Sequence, residues 1–235
     1  KDIRFKLLEV NYASRHNTEE KLWTGKDLET KKIENNIELF PEYRLAYNEK
    51  TITIHNGRKK RWRAQQEALY TFHLPEGSAI SSLSLWVNGV ERKSRLTTKK
   101  KASGAYNNIV GVQMRDPAIA HWKEGNRVTV KVFPCTPAED RVFKIGITSP
   151  LLFNDGELIY SDTYLEGPIL NRAQVFSNIH INGETKNISV PFNYNKIEQN
   201  HYQYSGGFSN ELFITMDSPK LSKKAFCFNG NCYSI

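Results

Sequence analysis

No stretch of this chain of 235 residues comes near the 18 or more consecutive apolar residues that a bilayer-crossing helix needs. Cysteine is scarce, with only Cys135, Cys227 and Cys232. A cysteine zinc site needs a fourth ligand at suitable spacing, and the six histidines supply no H-x-x-x-H partner. The G-x-S-x-G elbow, the P-loop, H-E-x-x-H and a strand-borne G-x-G-x-x-G are all missing. His121, Asp116 and Glu124 lie near one another in sequence, but no nucleophile or metal motif accompanies them. These absences argue against an enzyme, a metal centre or a bound cofactor. The chain opens on Lys1 with no signal-peptide pattern, as expected of a soluble segment of a larger, membrane-anchored protein.

Aromatic residues are present in number: twelve Phe, eleven Tyr and four Trp. With 39% apolar residues they suffice for a packed core. The formal charge of +8 is spread over three basic clusters. One holds Arg58, Lys59, Lys60, Arg61 and Arg63 around Trp62; the others are Lys99–Lys101 and Lys220, Lys223 and Lys224. No RNP, zinc-finger or helix-turn-helix pattern accompanies them, so nucleic acid is not an expected partner. The run from Arg58 to Arg63 has two readings. A solvated strand face with Trp62 turned inward explains it by alternation alone. A binding patch for acidic glycan or anionic lipid headgroups also explains it, since like charges held together gain nothing on a bare surface.

Asn-Gly, the strongest short hairpin signal, occurs four times, at 56–57, 88–89, 182–183 and 229–230. Ser82–Val87 alternates toward Asn88-Gly89, and Ile179–Val190 reads as a hairpin around Asn182-Gly183. Arg127–Phe133 alternates and is expected to stop at Pro134; Arg141–Ile147 alternates likewise. Glu29–Leu39 reads as either strand or helix, and Ile3–Tyr12 as a strand. In the string CFNGNC a two-residue turn at Asn229-Gly230 places Cys227 opposite Cys232 in a non-hydrogen-bonded pair. That spacing predicts a cross-strand disulfide, contributing about 2 kcal/mol through so short a loop, with Cys135 a small buried apolar residue. Ala102, Ala105, Tyr106, Ile109 and Val110 follow helical spacing, predicting one short amphipathic helix at about 99–110.

Three strings in order, EALYTFHLPEGSAISSLSLWVNG, KKKASGAYNNIVG and RDPAIAHWKEGNRVTVKVFPCTPAEDRVFKIGITSPL, resemble a VIT domain, the module named after vault protein and the inter-alpha-trypsin inhibitor heavy chains. HWKEGN and VFPCTP look most like the VIT proteins of the bacterial exosortase N sorting system. The resemblance implies a mainly β chain, a β-sandwich of VIT type with one short helix and additional flanking strands. It implies protein–protein interaction without catalytic residues, with Trp122 filling the core and His121 in an edge loop. It further implies an extracytoplasmic place in the cell envelope, a protein partner there, and a membrane-anchored parent. No Asp-x-Ser-x-Ser string follows Leu151, so no von Willebrand A metal site is expected. The expected organisation is flanking strands over 1–55, the VIT-like domain over 56–160, and a β extension or second small β unit over 161–235.

Overall fold

The computed structural model describes residues 27–57, 65–94, 118–228 and 230–233. Its strands are β1 Leu28–Phe40, β2 Leu45–Asn56, β3 Gln66–His73, β4 Ala79–Val87, β5 Val90–Lys93, β6 Ala118–Lys123, β7 Arg127–Cys135, β8 Arg141–Pro150 and β9 Leu152–Asn154. They continue with β10 Glu157–Ser161, β11 Tyr164–Glu166, β12 Gln174–Ile181, β13 Asn195–Glu198, β14 His201–Gly207, β15 Phe213–Asp217, β16 Phe226–Phe228 and β17 Asn231–Tyr233. The described residues are mainly β. The helix expected at about 99–110 lies outside them, as do Ile3–Tyr12 and the basic residues Arg58, Lys59, Lys60, Arg61, Trp62 and Arg63.

One eight-stranded sheet, ordered β13-β14-β12-β1-β2-β8-β4-β5, spans all three expected segments. A four-stranded sheet, β11-β3-β7-β6, and a three-stranded sheet, β15-β10-β9, are the other two large pieces. β1 and β2 form a hairpin of 13 and 12 residues, about 40 Å long at the usual rise per residue. Alternation in both strands gives the hairpin one apolar face, and that face is longer than either smaller sheet. Two cores therefore lie side by side along it. Leu28, Ile33, Ile52 and Ile54 pack with Tyr70, Phe72, Val128 and Val130 of the four-stranded sheet. Ile37, Leu39 and Ala46 pack with Leu158, Tyr160, Ile214 and Met216 of the three-stranded sheet.

A polar row separates the two cores on the same face. Lys50 on β2 stands opposite Asn35 on β1. Its ammonium donates to Asn35 Oδ1 at 3.1 Å and to Asp162 Oδ2 at 2.6 Å, with the two charged side chains only 4% and 9% exposed. Asp162 and Thr163 are the linker by which the chain leaves the three-stranded sheet after β10 and enters the four-stranded sheet at β11. Asp162 Oδ1 accepts from the Thr163 N–H at 2.7 Å and from Asn48 Nδ2 at 2.9 Å. Asn48 Nδ2 also donates to the buried Tyr160 hydroxyl at 3.0 Å. A backbone changing sheets inside the protein needs partners for its polar groups, and this row supplies them.

Several local expectations are corrected. Glu29–Leu39 is strand, because its partners on both sides, β2 and β12, pair along it. β7 runs through Pro134 to Cys135; the ladder with β3 shifts register between Gln66 and Ala68, where a missing N–H is tolerated. Asn182-Gly183 is not a hairpin turn: β12 takes β14 as its antiparallel neighbour, after an excursion in which Ser189 bridges Thr215. Asn56-Gly57 ends β2 without joining it to β3, which lies in another sheet. Asn88-Gly89 does make the tight β4–β5 turn, with both residues at positive φ. Trp122 is 49% exposed rather than in the core. It shares a face of β6 with Ala118 and Ala120, which pack against the core, but it stands near the end of the strand beside the turn at Glu124–Asn126. His121 sits on that strand and not in a loop.

Two measurements check this packing. Lys50→Met and Asp162→Asn each strand one buried charge, so each is expected to cost roughly 3 kcal/mol or more in urea denaturation. The double variant removes both charges and is expected to be more stable than Lys50→Met alone by about 1 kcal/mol or more; strictly additive losses would show that the two charges do not sense each other. Burial pushes the Cys135 thiol up to about 12. It is therefore expected to be silent to a thiol reagent at pH 8 in the native protein and to react once per chain after unfolding.

Candidate protein-interaction surface

Pro41 opens a one-turn 3-10 segment, Pro41–Tyr43, between β1 and β2, and Arg44 closes it in the left-handed region at φ 53°. Arg44 N–H donates to Pro41 O at 3.1 Å, and Leu151 N–H donates to Arg44 O at 2.8 Å. These bonds fix the turn against the corner between β8 and β9. Tyr43 and Arg44 then reach different groups of rings.

The Arg44 guanidinium lies over the Phe153 ring, 4.5 Å from its centroid. Phe153 is 53% exposed, and Leu152 beside it on β9 is exposed as well. On the outer face of the large sheet, Phe40, Tyr43 and Tyr47 receive the last hairpin, β16–β17. Phe226 meets Phe40 and Tyr43, each at 5.0 Å between centroids, and Phe228 meets Phe40 at 5.4 Å and Tyr47 at 4.9 Å.

A ladder of three residues per strand is too short to stand alone. Cys227 and Cys232 are paired across it and joined by a disulfide, while Cys135 is free and buried. Alternation turns Phe226 and Phe228 toward the sheet and leaves Cys227 exposed between them. The approach strand is pinned by Ser222 N–H to Glu42 O at 3.0 Å and by the Tyr43 hydroxyl to Ala225 O at 3.4 Å. It carries Lys220, Lys223 and Lys224, all exposed, so one of the three basic clusters sits beside the rings.

The result is a fixed tip of aromatic rings, one arginine and a lysine-bearing strap. Aromatic residues and arginine are the side chains enriched where proteins bind one another. The turn's hydrogen bonds and the ring contacts of Phe226 and Phe228 hold Phe40, Tyr43 and Tyr47 in place before any partner arrives, which lowers the ordering cost of association. Sequence reading found the hairpin cysteines and the Lys220–Lys224 cluster but missed Tyr43, Arg44 and Phe153. A proline-led turn between two long alternating runs was the available signal for the first two. Phe153 carried none, because its partner is more than a hundred residues earlier.

Among the described residues, no group of three or more His, Cys, Asp and Glu side chains converges on a metal position. His121 is on β6 and Glu124 in the following turn, and Asp116 lies outside the described residues. No helix among the described residues is long and apolar enough to cross a membrane.

Likeness to solved structures is weak. An M1 zinc metallopeptidase from Deinococcus radiodurans shares 8% identity at a TM-score of 0.45, over 83% of this chain and 43% of that one. Native yeast LTA4 hydrolase shares 8% identity at a TM-score of 0.43, over 81% of this chain and 29% of that one. The chain thus spans less than half the length of these proteins, and likeness at this level transfers neither catalytic residues nor a zinc site. The sequence matches no curated protein at a significant level. The family model of the Vault protein inter-alpha-trypsin domain, a non-catalytic module, matches residues 42–147, from the β1–β2 turn through most of β8.

Proposed function

We propose that this chain is a non-catalytic protein-interaction module that docks a partner protein through the aromatic tip, as an extracytoplasmic part of a larger membrane-anchored envelope protein. The observation that carries the reading is the turn at the start of the VIT-matching segment, which holds Arg44 over Phe153 on one side and Tyr43 against Phe226 of the disulfide hairpin on the other. The disulfide supports an oxidising compartment, where such bonds persist. The resemblance of HWKEGN and VFPCTP to exosortase N system proteins supports placing the parent among bacterial envelope proteins sorted by that route.

A second reading has its own support. The net charge of +8, with Arg58, Lys59, Lys60, Arg61 and Arg63 in one run around Trp62, favours an acidic glycan or anionic lipid headgroup as the ligand. Ionic strength separates the two readings, because contacts between exposed charges are screened while an apolar centre is not.

Capture from a bacterial envelope extract at low and high salt tests both. Arg44→Ala and Phe153→Ala are each expected to reduce the captured partner by at least roughly tenfold, the loss typical of a central interface residue. Melting temperatures are expected to fall by only a few degrees, and replacing Arg58, Lys60 and Arg63 together by Ser is expected to leave capture unchanged. The opposite pattern, loss in the triple variant and a steep fall with salt, would replace the protein-docking reading with the polyanion one.

A further inference from the structure

The outer face of the large sheet carries one pairing that neither core packing nor the aromatic tip explains. His180 on β12 stands directly opposite His201 on β14, and their rings stack with centroids 4.0 Å apart and planes 22° from parallel. The neighbours Ile179, Ile181 and Tyr202 point into the core, so both imidazoles point away from it and stay partly open to solvent. The next position along the ladder is the hydrogen-bonded one, with Ile181 N–H donating to Asn200 O at 2.9 Å. His180 and His201 are therefore a non-hydrogen-bonded pair, the arrangement that brings opposite side chains closest.

We propose that His180 and His201 form a two-imidazole site for a borderline divalent transition metal ion such as zinc. Imidazole nitrogen suits zinc, copper and nickel, and a cross-strand pair offers two such ligands from a backbone that does not have to rearrange. Rotation about χ2, a soft torsion, would aim one nitrogen of each stacked ring at a common point, with the ion replacing the 3.4 Å contact between His201 Nε2 and Gln203 Nε2. The two strand ends are held from both sides. Asn182 Nδ2 donates to Glu38 Oε2 at 2.7 Å, and Asn200 Nδ2 donates to Gly183 O at 3.1 Å.

The charge around the pair also suits a cation. Glu38 on β1 is the register partner of His180, and Glu198 on β13 is the register partner of His201. The row across four strands thus reads carboxylate, imidazole, imidazole, carboxylate. The carboxylates do not converge with the imidazoles into a closed set of ligands. Two protein ligands are fewer than a structural zinc site uses, so the ion keeps open positions for water or for a side chain of a docked molecule. The same row continues to Tyr47, the register partner of Glu38, whose ring is covered by Phe228. The site therefore lies on the same sheet face as the aromatic hairpin, though it stands independently of the docking reading.

Titration calorimetry of the tag-free 235-residue chain with ZnCl2, and separately with MgCl2, tests the proposal. One zinc per chain is expected, with no heat from magnesium, which prefers oxygen ligands. His180→Ala and His201→Ala are each expected to weaken zinc at least about tenfold, since loss of even an outer-shell partner costs that much. The double variant should be no weaker than either single one, because a chelate is lost with its first ligand, and His121→Ala should bind as the wild type does. Zinc is also expected to raise the melting temperature of the wild-type chain and not of the double variant, because it binds only the folded pair. Zinc-free melting temperatures within a few degrees of wild type would show that the variants fold. Undiminished zinc binding in the double variant would mean an adventitious ion held elsewhere; that result, no binding by the wild type, or equal binding of magnesium would each overturn the site.

Discussion

The pair formed by Lys50 and Asp162 is the constraint on which the rest of the architecture depends. A hairpin about 40 Å long presents one apolar face, and neither smaller sheet covers it alone. The chain must therefore cross from one covering sheet to the other beneath it, and Asp162–Thr163 is the crossing point. Lys50 anchors that point to the middle of the hairpin. Burying two charges brings little net stability compared with an apolar pair of the same volume. Its effect here is positional: a shift of β2 by one residue would turn Lys50 outward and leave Asp162 buried and unpaired.

The two cores follow from that anchor. On one side of the row, Thr30 Oγ1 lies 2.9 Å from the Tyr70 hydroxyl and donates to Pro168 O at 2.6 Å, tying the first strand to the four-stranded sheet. Gly167 passes against the Tyr70 ring, where a Cβ would collide. On the other side, Leu39 and Ala46 close the second core directly beneath the β1–β2 turn. The turn is thus fixed from below by packing and from both flanks by rings. Its exposed aromatic residues are held in place rather than left to collapse on one another.

Arrangement sets one surface of this chain apart from the rest. The outer face of β1, β2, β12 and β14 carries charged and polar side chains over most of its length, including Glu34, Glu38, Glu49 and Thr51. Phe176 on β12 is an exposed ring beside Glu34, and near the turn Phe40 and Tyr47 form an aromatic patch that the hairpin β16–β17 covers. The disulfide joins β16 and β17 into one small pad, which so short a ladder does not achieve unaided.

Much of this was legible in the residues. Period-two alternation in Ser82–Val87, Arg127–Phe133 and Arg141–Ile147 determined strands, because side-chain direction depends only on the local backbone. Asn88-Gly89 determined its turn for the same reason, and the CFNGNC string placed Cys227 opposite Cys232. Asn182-Gly183 misled, since a turn signal says nothing of which strand will pair across it. The partners of Lys50, Phe153 and His180 were not legible at all. Asp162 lies 112 residues from Lys50, and the two histidines meet only because β14 returns beside β12 after β13. What the sequence by itself determined was the strands with clean alternation, the Asn88-Gly89 turn and the Cys227–Cys232 pairing. Which faces met, where the two cores divided and which side chains gathered at the tip were decided by tertiary structure, because those pairings depend on sheet order and register, and no local pattern encodes either.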